Sequence, residues 1–287
     1  MINTQLVNTN AAETPPYSLN TIFNIVSENK STHCATCQNG AHCHPPRGEM
    51  VDFWTQPFVI EPNNFKYKSL SNFVGNPAVG CVGCRFCYVP EVSTNKMQLK
   101  LAPYGVQDPD AEWGQYVLIR QWNEKVFLAS LRRAENAPAA KLKPDGHRAV
   151  MFSSTTDPYQ TPVHPDSERQ KLLADHLRFI VRRALELIRD QSTLNVRILT
   201  RSPLASRDFD LFQSFGPRLT FGMSIPTLRE DLARIYEPRV ARPAQRLATL
   251  RAAKEAGLHT FVAMAPTFPE CDEADLRATL TAIKELI

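Results

Sequence analysis

Apolar positions along this chain follow two different periods. Between residues 115 and 265, short apolar runs take turns with longer stretches in which apolar residues recur every three to four positions. The runs predict strands at 115–121 (QYVLIRQ), 148–153 (RAVMFS), 195–200 (NVRILT), 219–225 (LTFGMSI) and 259–265 (HTFVAMA). The stretches predict helices over 123–133, about 166–190, from about 206, 228–236 and 243–256, and a last one capped by Asp272. In the longest helix Leu173, Leu177, Ile180, Ala184 and Ile188 make the apolar stripe, and in the last one Leu276, Leu280 and Ile283 do. Pro243 in the first turn and Gly257 just past the end bracket the helix between them. Strands alternating with helices predict a parallel sheet with helical crossovers, as a barrel or doubly wound. In either form ligands gather at the carboxyl ends of the strands.

The first 48 residues differ. Residues 1–30 are polar and without period, and 31–48 (STHCATCQNGAHCHPPRG) carry the turn formers Gly40, Pro45, Pro46 and Gly48. We therefore expect an irregular Cys/His-rich extension at 1–48 and an α/β domain at 49–287. No internal repeat is visible.

The 287 residues are 43% hydrophobic and 22% charged, ordinary for a globular chain able to bury a core without disulfides. A net charge of +4 tolerates an anionic partner but lacks the basic stripe of a dedicated nucleic-acid binder. No run of about 18 apolar residues predicts a membrane span. The N-terminus lacks the basic start and apolar run of a secretory signal, so a cytoplasmic setting with reduced thiols is expected.

Seven cysteines change this picture, because six fall into two tight triplets: Cys34, Cys37 and Cys43, then Cys81, Cys84 and Cys87; Cys271 stands apart. Two triplets fit metal ligation better than paired disulfides. The second, in NPAVGCVGCRFCYVP, has the spacing C-x2-C-x2-C. Thiolates suit zinc or iron–sulfur clusters, and bacterial ferredoxins use this spacing for three of four ligands. Glu91 occupies the fourth position here, so a [4Fe–4S] cluster on these three thiols would keep one iron open to a ligand. A zinc site with a distant fourth ligand, or buried free thiols, are the alternatives. In the first triplet His33, His42 and His44 crowd the cysteines, which leaves zinc, a second cluster or no metal open.

The segment around Cys81 resembles the cluster loop of the radical S-adenosylmethionine (radical SAM) superfamily, in particular its spore-photoproduct-lyase-like branch. Asn76, Pro77, Gly80, Cys81, Cys84, Phe86, Cys87 and Tyr88 match that branch in type and order. FSSTTDPYQ (152–160), LTRSPLASRDFDLF (199–212), FGMSIPT (221–227), ARIYEPRVARPAQRLATLRAAKEAG (233–257) and VAMAPTFP (262–269) resemble its further motifs, in order. The family spacing is usually C-x3-C-x2-C, one residue longer than here. The family barrel also has a sixth strand after the five read here, so either the chain is truncated or another element, the N-terminal region or a partner chain, closes that edge.

The resemblance implies a partial (β/α) TIM-like barrel, a [4Fe–4S] cluster on Cys81, Cys84 and Cys87, and S-adenosylmethionine chelating the open iron. It implies cofactor contacts from Phe86, Tyr88, Ser153, Ser154, Thr155, Asp157, Thr200, Ser202, Ser224 and Arg239. Strand-end turn chemistry for the hydroxyls and Asp157, core packing for the aromatics, and a surface ion pair with Glu237 or a neighbouring acid for Arg239 remain the plainer readings. Arg201, between Thr200 and Ser202, is compatible with either side of the strand end. Cys271 is expected either to donate hydrogen to a product radical, to complete the N-terminal site, or to be an inert loop thiol. The activity implied is hydrogen abstraction from a small molecule, a nucleoside among the candidates. It is driven by an electron donor such as flavodoxin or ferredoxin, and an N-terminal cluster would serve as a sulfur donor. Two alternatives are a DNA-lesion repair lyase and a non-enzymatic iron–sulfur or zinc protein.

Overall fold

The structure, a computed structural model, describes residues 50–64, 71–81, 83–90, 98–152 and 154–287. Cys34, Cys37, Cys43 and Ser153 lie outside the described residues. The strands are β1 (Met50–Pro57), β2 (Ile60–Pro62), β3 (Phe73–Gly75), β4 (Ala78–Gly80), β5 (Tyr116–Gln121), β6 (Ala149–Phe152), β7 (Asn195–Thr200), β8 (Leu219–Ser224) and β9 (His259–Ala263). The helices are α1 (Glu124–Glu135), α2 (Ser167–Gln191), α3 (Phe209–Gln213), α4 (Glu230–Tyr236), α5 (Pro243–Glu255) and α6 (Glu273–Ile283), besides single turns.

Six strands form one sheet in the order β2-β3-β6-β7-β8-β9. From β3 to β9 every pairing is parallel, with α2, α3 and α5 among the crossovers. The sheet does not close among the described residues, so it is a partial barrel of the kind expected. Helix starts follow local chemistry. Asn123 accepts from Val126 N, Asp166 from Glu168 N and Arg169 N, and Asp272 from Asp275 N, satisfying N–H groups that a helix leaves unpaired.

The two faces of the sheet are unlike. Val150 and Phe152, Val196 and Ile198, and Leu219 and Phe221 share one face by register and bury against the stripe Leu173, Leu177, Ile180, Ala184 and Ile188 of α2. Each such side chain contributes about 1.5–3 kcal/mol by leaving water. The other face carries Met151, Arg197, Leu199, Thr220, Gly222 and Phe261, and helices α2 and α5 do not cover it.

Two expectations change. The strand at 115–121 exists but leaves the parallel run: β5 pairs with β1 in parallel and with β4 in antiparallel, in a separate three-stranded sheet. The first parallel strand is instead β3, whose three residues are too short to show a period. In α6, Thr279 and Ile283 are buried, whereas Leu280 is 51% exposed. The helix turns its Thr279 side inward, and the Thr279 hydroxyl donates back to Asp275 O. No described helix is long and apolar enough to cross a membrane. Ile180→Ala is expected to cost about 2–5 kcal/mol in urea unfolding, and Leu280→Ala to stay within about 0.5 kcal/mol.

Candidate metal centre and adjoining cleft

β4 ends at Gly80, and the chain turns at once into Cys81. Gly80 has φ +86°, and a Cβ there would collide with the carbonyl oxygen of Tyr116 on β5. Gly83, at φ +78°, lets the loop approach so closely that a Cβ would lie 2.6 Å from Gly114 Cα. The two glycines fold the cysteine loop tightly against the start of β5, a course that side chains would prevent. Cys87 N then donates to Cys84 O (3.2 Å), closing a turn between the second and third cysteines.

The loop is held from β6. Thr156 Oγ1 donates to Gly80 O (2.7 Å), and Gln160 Nε2 donates to Thr156 Oγ1 (2.6 Å). Asn76, just before β4, exchanges hydrogen bonds with Ser154 Oγ (2.9 and 3.0 Å) and accepts from Thr155 N (3.1 Å). Tyr88 is 43% exposed, but its hydroxyl donates to Ser154 O (3.0 Å). Burial of that end, with the Cys87 sulfur nearby, pushes the phenol well above its ordinary range.

The charge beside the loop is positive and fixed. Glu237, at the end of α4, is 2% exposed and lies between two guanidiniums. Arg201 Nε donates to its Oε1 (2.7 Å), and Arg246 Nη2 to its Oε2 (2.5 Å). Arg246 is fully buried and also donates to Ser224 O (2.8 Å). Arg201 lies over the Phe86 ring, 5.6 Å from its centroid. Burial pushes the Cys84 thiol far up, and the Arg201 guanidinium is the main group opposing it; Cys81 and Cys87 act on the same thiol. Burial alone would push Arg201 down, but the Cys84 sulfur and Glu237 hold it charged.

Next to Arg201 opens a cleft of about 300 Å³, lined by Asp157, Gln160, Arg201, Ser202 and Arg239 among others. Asp157 accepts from Thr200 Oγ1 (2.6 Å) and Arg201 N (2.8 Å), so it ties the β6 and β7 ends together. Ser202 Oγ caps the next turn by accepting from Leu204 N (3.3 Å). Arg239 does not pair with Glu237; its Nη1 donates to Gly114 O (2.8 Å), and burial lowers its pKa. Cys271 donates its N–H to Phe268 O (3.0 Å), in the loop after β9. Phe268 stacks on Tyr236 (4.4 Å) and packs on Phe86 (5.4 Å), so this loop touches the cysteine loop. The Tyr236 hydroxyl donates to Glu270 (2.8 Å), and burial raises its pKa to about 12.

The strand ends thus bring together Ser154, Thr155, Asp157, Thr200, Ser202, Ser224 and Arg239, but several are already engaged in holding loops. Glu237, Arg246, Thr156 and Gln160 were not singled out from the sequence. Arg246 has a readable signal: it falls on the same helical stripe as the buried Leu250 and Ala253, where a cation needs a buried partner.

The model of the radical SAM superfamily matches residues 76–283. The chain belongs to that superfamily. A 31% identical relative is uncharacterized protein ORF301 of Acidianus two-tailed virus, over 75% of this chain and 64% of that one. Uncharacterized protein MJ0683 of Methanocaldococcus jannaschii is 25% identical over 70% of this chain and 62% of its own length. The radical SAM chain therefore spans somewhat less than two thirds of these relatives. Among solved structures, spore photoproduct lyase complexed with dinucleoside spore photoproduct is similar at TM-score 0.52 and 19% identity, over 79% of this chain and 54% of that one. A mutant of the lyase with bound AdoMet and the dinucleoside has TM-score 0.54 and 17% identity, over 92% and 68%. At these identities the likeness is one of fold.

The superfamily implies a [4Fe–4S] cluster and S-adenosylmethionine, and the donor set fits them. Three cysteines outside any disulfide sit on one glycine-shaped loop beside the partly buried Arg201 guanidinium, whose charge offsets that of a thiolate. Among the described residues no three His, Cys, Asp or Glu side chains converge as a single ion requires. A cluster, whose irons stand apart, needs thiolates round a wider space. Glu237→Gln should destabilise the fold by about 3–5 kcal/mol in denaturant unfolding, because it leaves the fully buried Arg246 without its carboxylate and facing the partly buried Arg201.

Proposed function

We propose that this radical SAM protein abstracts hydrogen from a small, nucleoside-like biosynthetic intermediate. One observation carries the reading: the three-thiol loop adjoins a cleft of small-molecule size whose walls offer two guanidiniums. A cluster bound there would supply the electron for reductive cleavage of S-adenosylmethionine. Cys81, Cys84 and Cys87 are its ligands. Arg239, with nitrogens left over beyond Gly114 O, takes the carboxylate of S-adenosylmethionine in a charge-assisted fork. Thr155, Ser202 and Ser224 offer hydroxyls to its amino and ribose groups, with Ser153 beside them in sequence. Ser154, Asp157 and Thr200 position these groups through the bonds they already make. Phe86 and Tyr88 wall the site and exclude water. Cys271, on the loop packed against Phe86, returns hydrogen to a product radical. Flavodoxin or ferredoxin is the electron donor in a reducing cytoplasm. Cys34, Cys37 and Cys43, in the extension through residue 48, hold a second cluster or zinc; a cluster there would donate sulfur.

A second reading is favoured by the ligand of the structural neighbours, a dinucleoside lesion: repair of damaged DNA. Duplex binding that weakens steeply with salt would support it. For the main reading, reduced cluster-loaded protein given S-adenosylmethionine without oxygen should release 5′-deoxyadenosine, and Cys84→Ala should not. Loaded wild-type protein that releases no cleavage product overturns it.

A further inference from the structure

The helix-free face of the sheet carries a cation that the foregoing chemistry does not use. Arg197 lies in the middle of β7, on the face opposite Val196 and Ile198, which pack into the helical core. Its Nε is buried without a hydrogen-bond partner, and no described carboxylate pairs with it. The rest of this partly buried guanidinium is open to the face, and an N–H withdrawn from water without an acceptor is unfavourable unless a ligand satisfies it.

The strand register shows what surrounds it. Across the sheet Arg197 is level with Thr220 on β8, and Thr220 with His259 on β9. Side chains alternate along a strand, so these three share the open face in one row. Two residues further along, the next row is Leu199, Gly222 and Phe261. Gly222 is required there, since a Cβ would run into the ring of Phe261, which lies across it. Two residues further again come Arg201, which lies over Phe86 of the cysteine loop, and Ser224 at the end of β8. The face therefore has three layers: a row of donors, an aromatic and aliphatic floor, and the strand ends. Four residues of strand separate Arg197 from Arg201, about 13 Å, which an extended mononucleotide can span.

We propose that this face binds the substrate by a phosphate monoester, with Arg197, Thr220 and His259 holding its oxygens and the base lying on Leu199 and Phe261. The proposal rests on the reading of the protein as a radical enzyme for a nucleoside-like molecule, and it names that molecule as a nucleoside monophosphate. Donors from three strands suit the three oxygens of a phosphate better than the two of a carboxylate. With the phosphate at the far row, the base end of the molecule points toward the strand ends, where hydrogen is removed.

Calorimetry on cluster-loaded protein with S-adenosylmethionine tests it. The probes are the four common nucleoside 5′-monophosphates, the matching nucleosides and a nucleoside 5′-carboxylate. At least one monophosphate should bind about tenfold or more tighter than its nucleoside. Arg197→Met should abolish that preference and Arg197→Lys keep part of it, with iron content showing that each variant is folded. Should Arg197→Met not fold, Thr220→Val should still reduce the preference. Equal binding of nucleoside and monophosphate, a preference that survives Arg197→Met, or tighter binding of the carboxylate each overturns the proposal. Because binding is read directly, these outcomes are separate from any failure to cleave S-adenosylmethionine.

Discussion

One buried carboxylate organises the working end of this protein. Glu237 closes α4 and holds Arg201 from the β7 end with one oxygen and Arg246 from α5 with the other. Such a set is costly to desolvate, and stability alone does not explain it. What it achieves is placement. Arg246 reaches on to the carbonyl of Ser224 at the end of β8, and Arg201 is pressed over Phe86 with its charge beside Cys84. Three chain segments and the cysteine loop are fixed by one charge cluster. The thiols therefore meet a positive field whose direction the fold sets in advance.

The hydrogen bonds around the loop divide the strand-end residues into two kinds. Asn76, Ser154, Thr156 and Gln160 clamp the peptide that leads into Cys81, and Asp157 locks the β6 end to the β7 end. Arg239, Thr155, Ser202 and Ser224 are left with capacity toward a ligand. In the proposed function these four hold the cofactor, so shaping the loop and holding the cofactor fall to different residues. It also accounts for Gly80 and Gly83, because the clamp succeeds only if the backbone passes against Tyr116 and Gly114.

The sequence made the long-range scaffold legible where periods were long. The α2 stripe from Leu173 to Ile188 and the strands at 195–200 and 219–224 fall where the apolar pattern places them. The three-residue β3 and β4 were not legible, since so few residues carry no period, and their pairing depends on partners far along the chain. For the same reason β5 looked like one more parallel strand, although its neighbours are β1 and β4. The cysteine loop was legible from spacing and from the ordered motifs. The role of Glu237 was not, because a carboxylate in an EPR sequence looks like a surface ion pair until Arg201 and Arg246 converge on it. Arg197 was likewise hidden within a strand pattern that reads simply as alternating.

The central claim is that Cys81, Cys84 and Cys87 hold a cluster with one iron left open for S-adenosylmethionine. Anaerobic reconstitution followed by electron paramagnetic resonance of the reduced protein, with and without S-adenosylmethionine, tests it most directly. The account predicts a reduced [4Fe–4S] signal that requires these three cysteines and changes shape when S-adenosylmethionine is added. A signal unaltered by S-adenosylmethionine, or one that survives loss of the three cysteines, would contradict it.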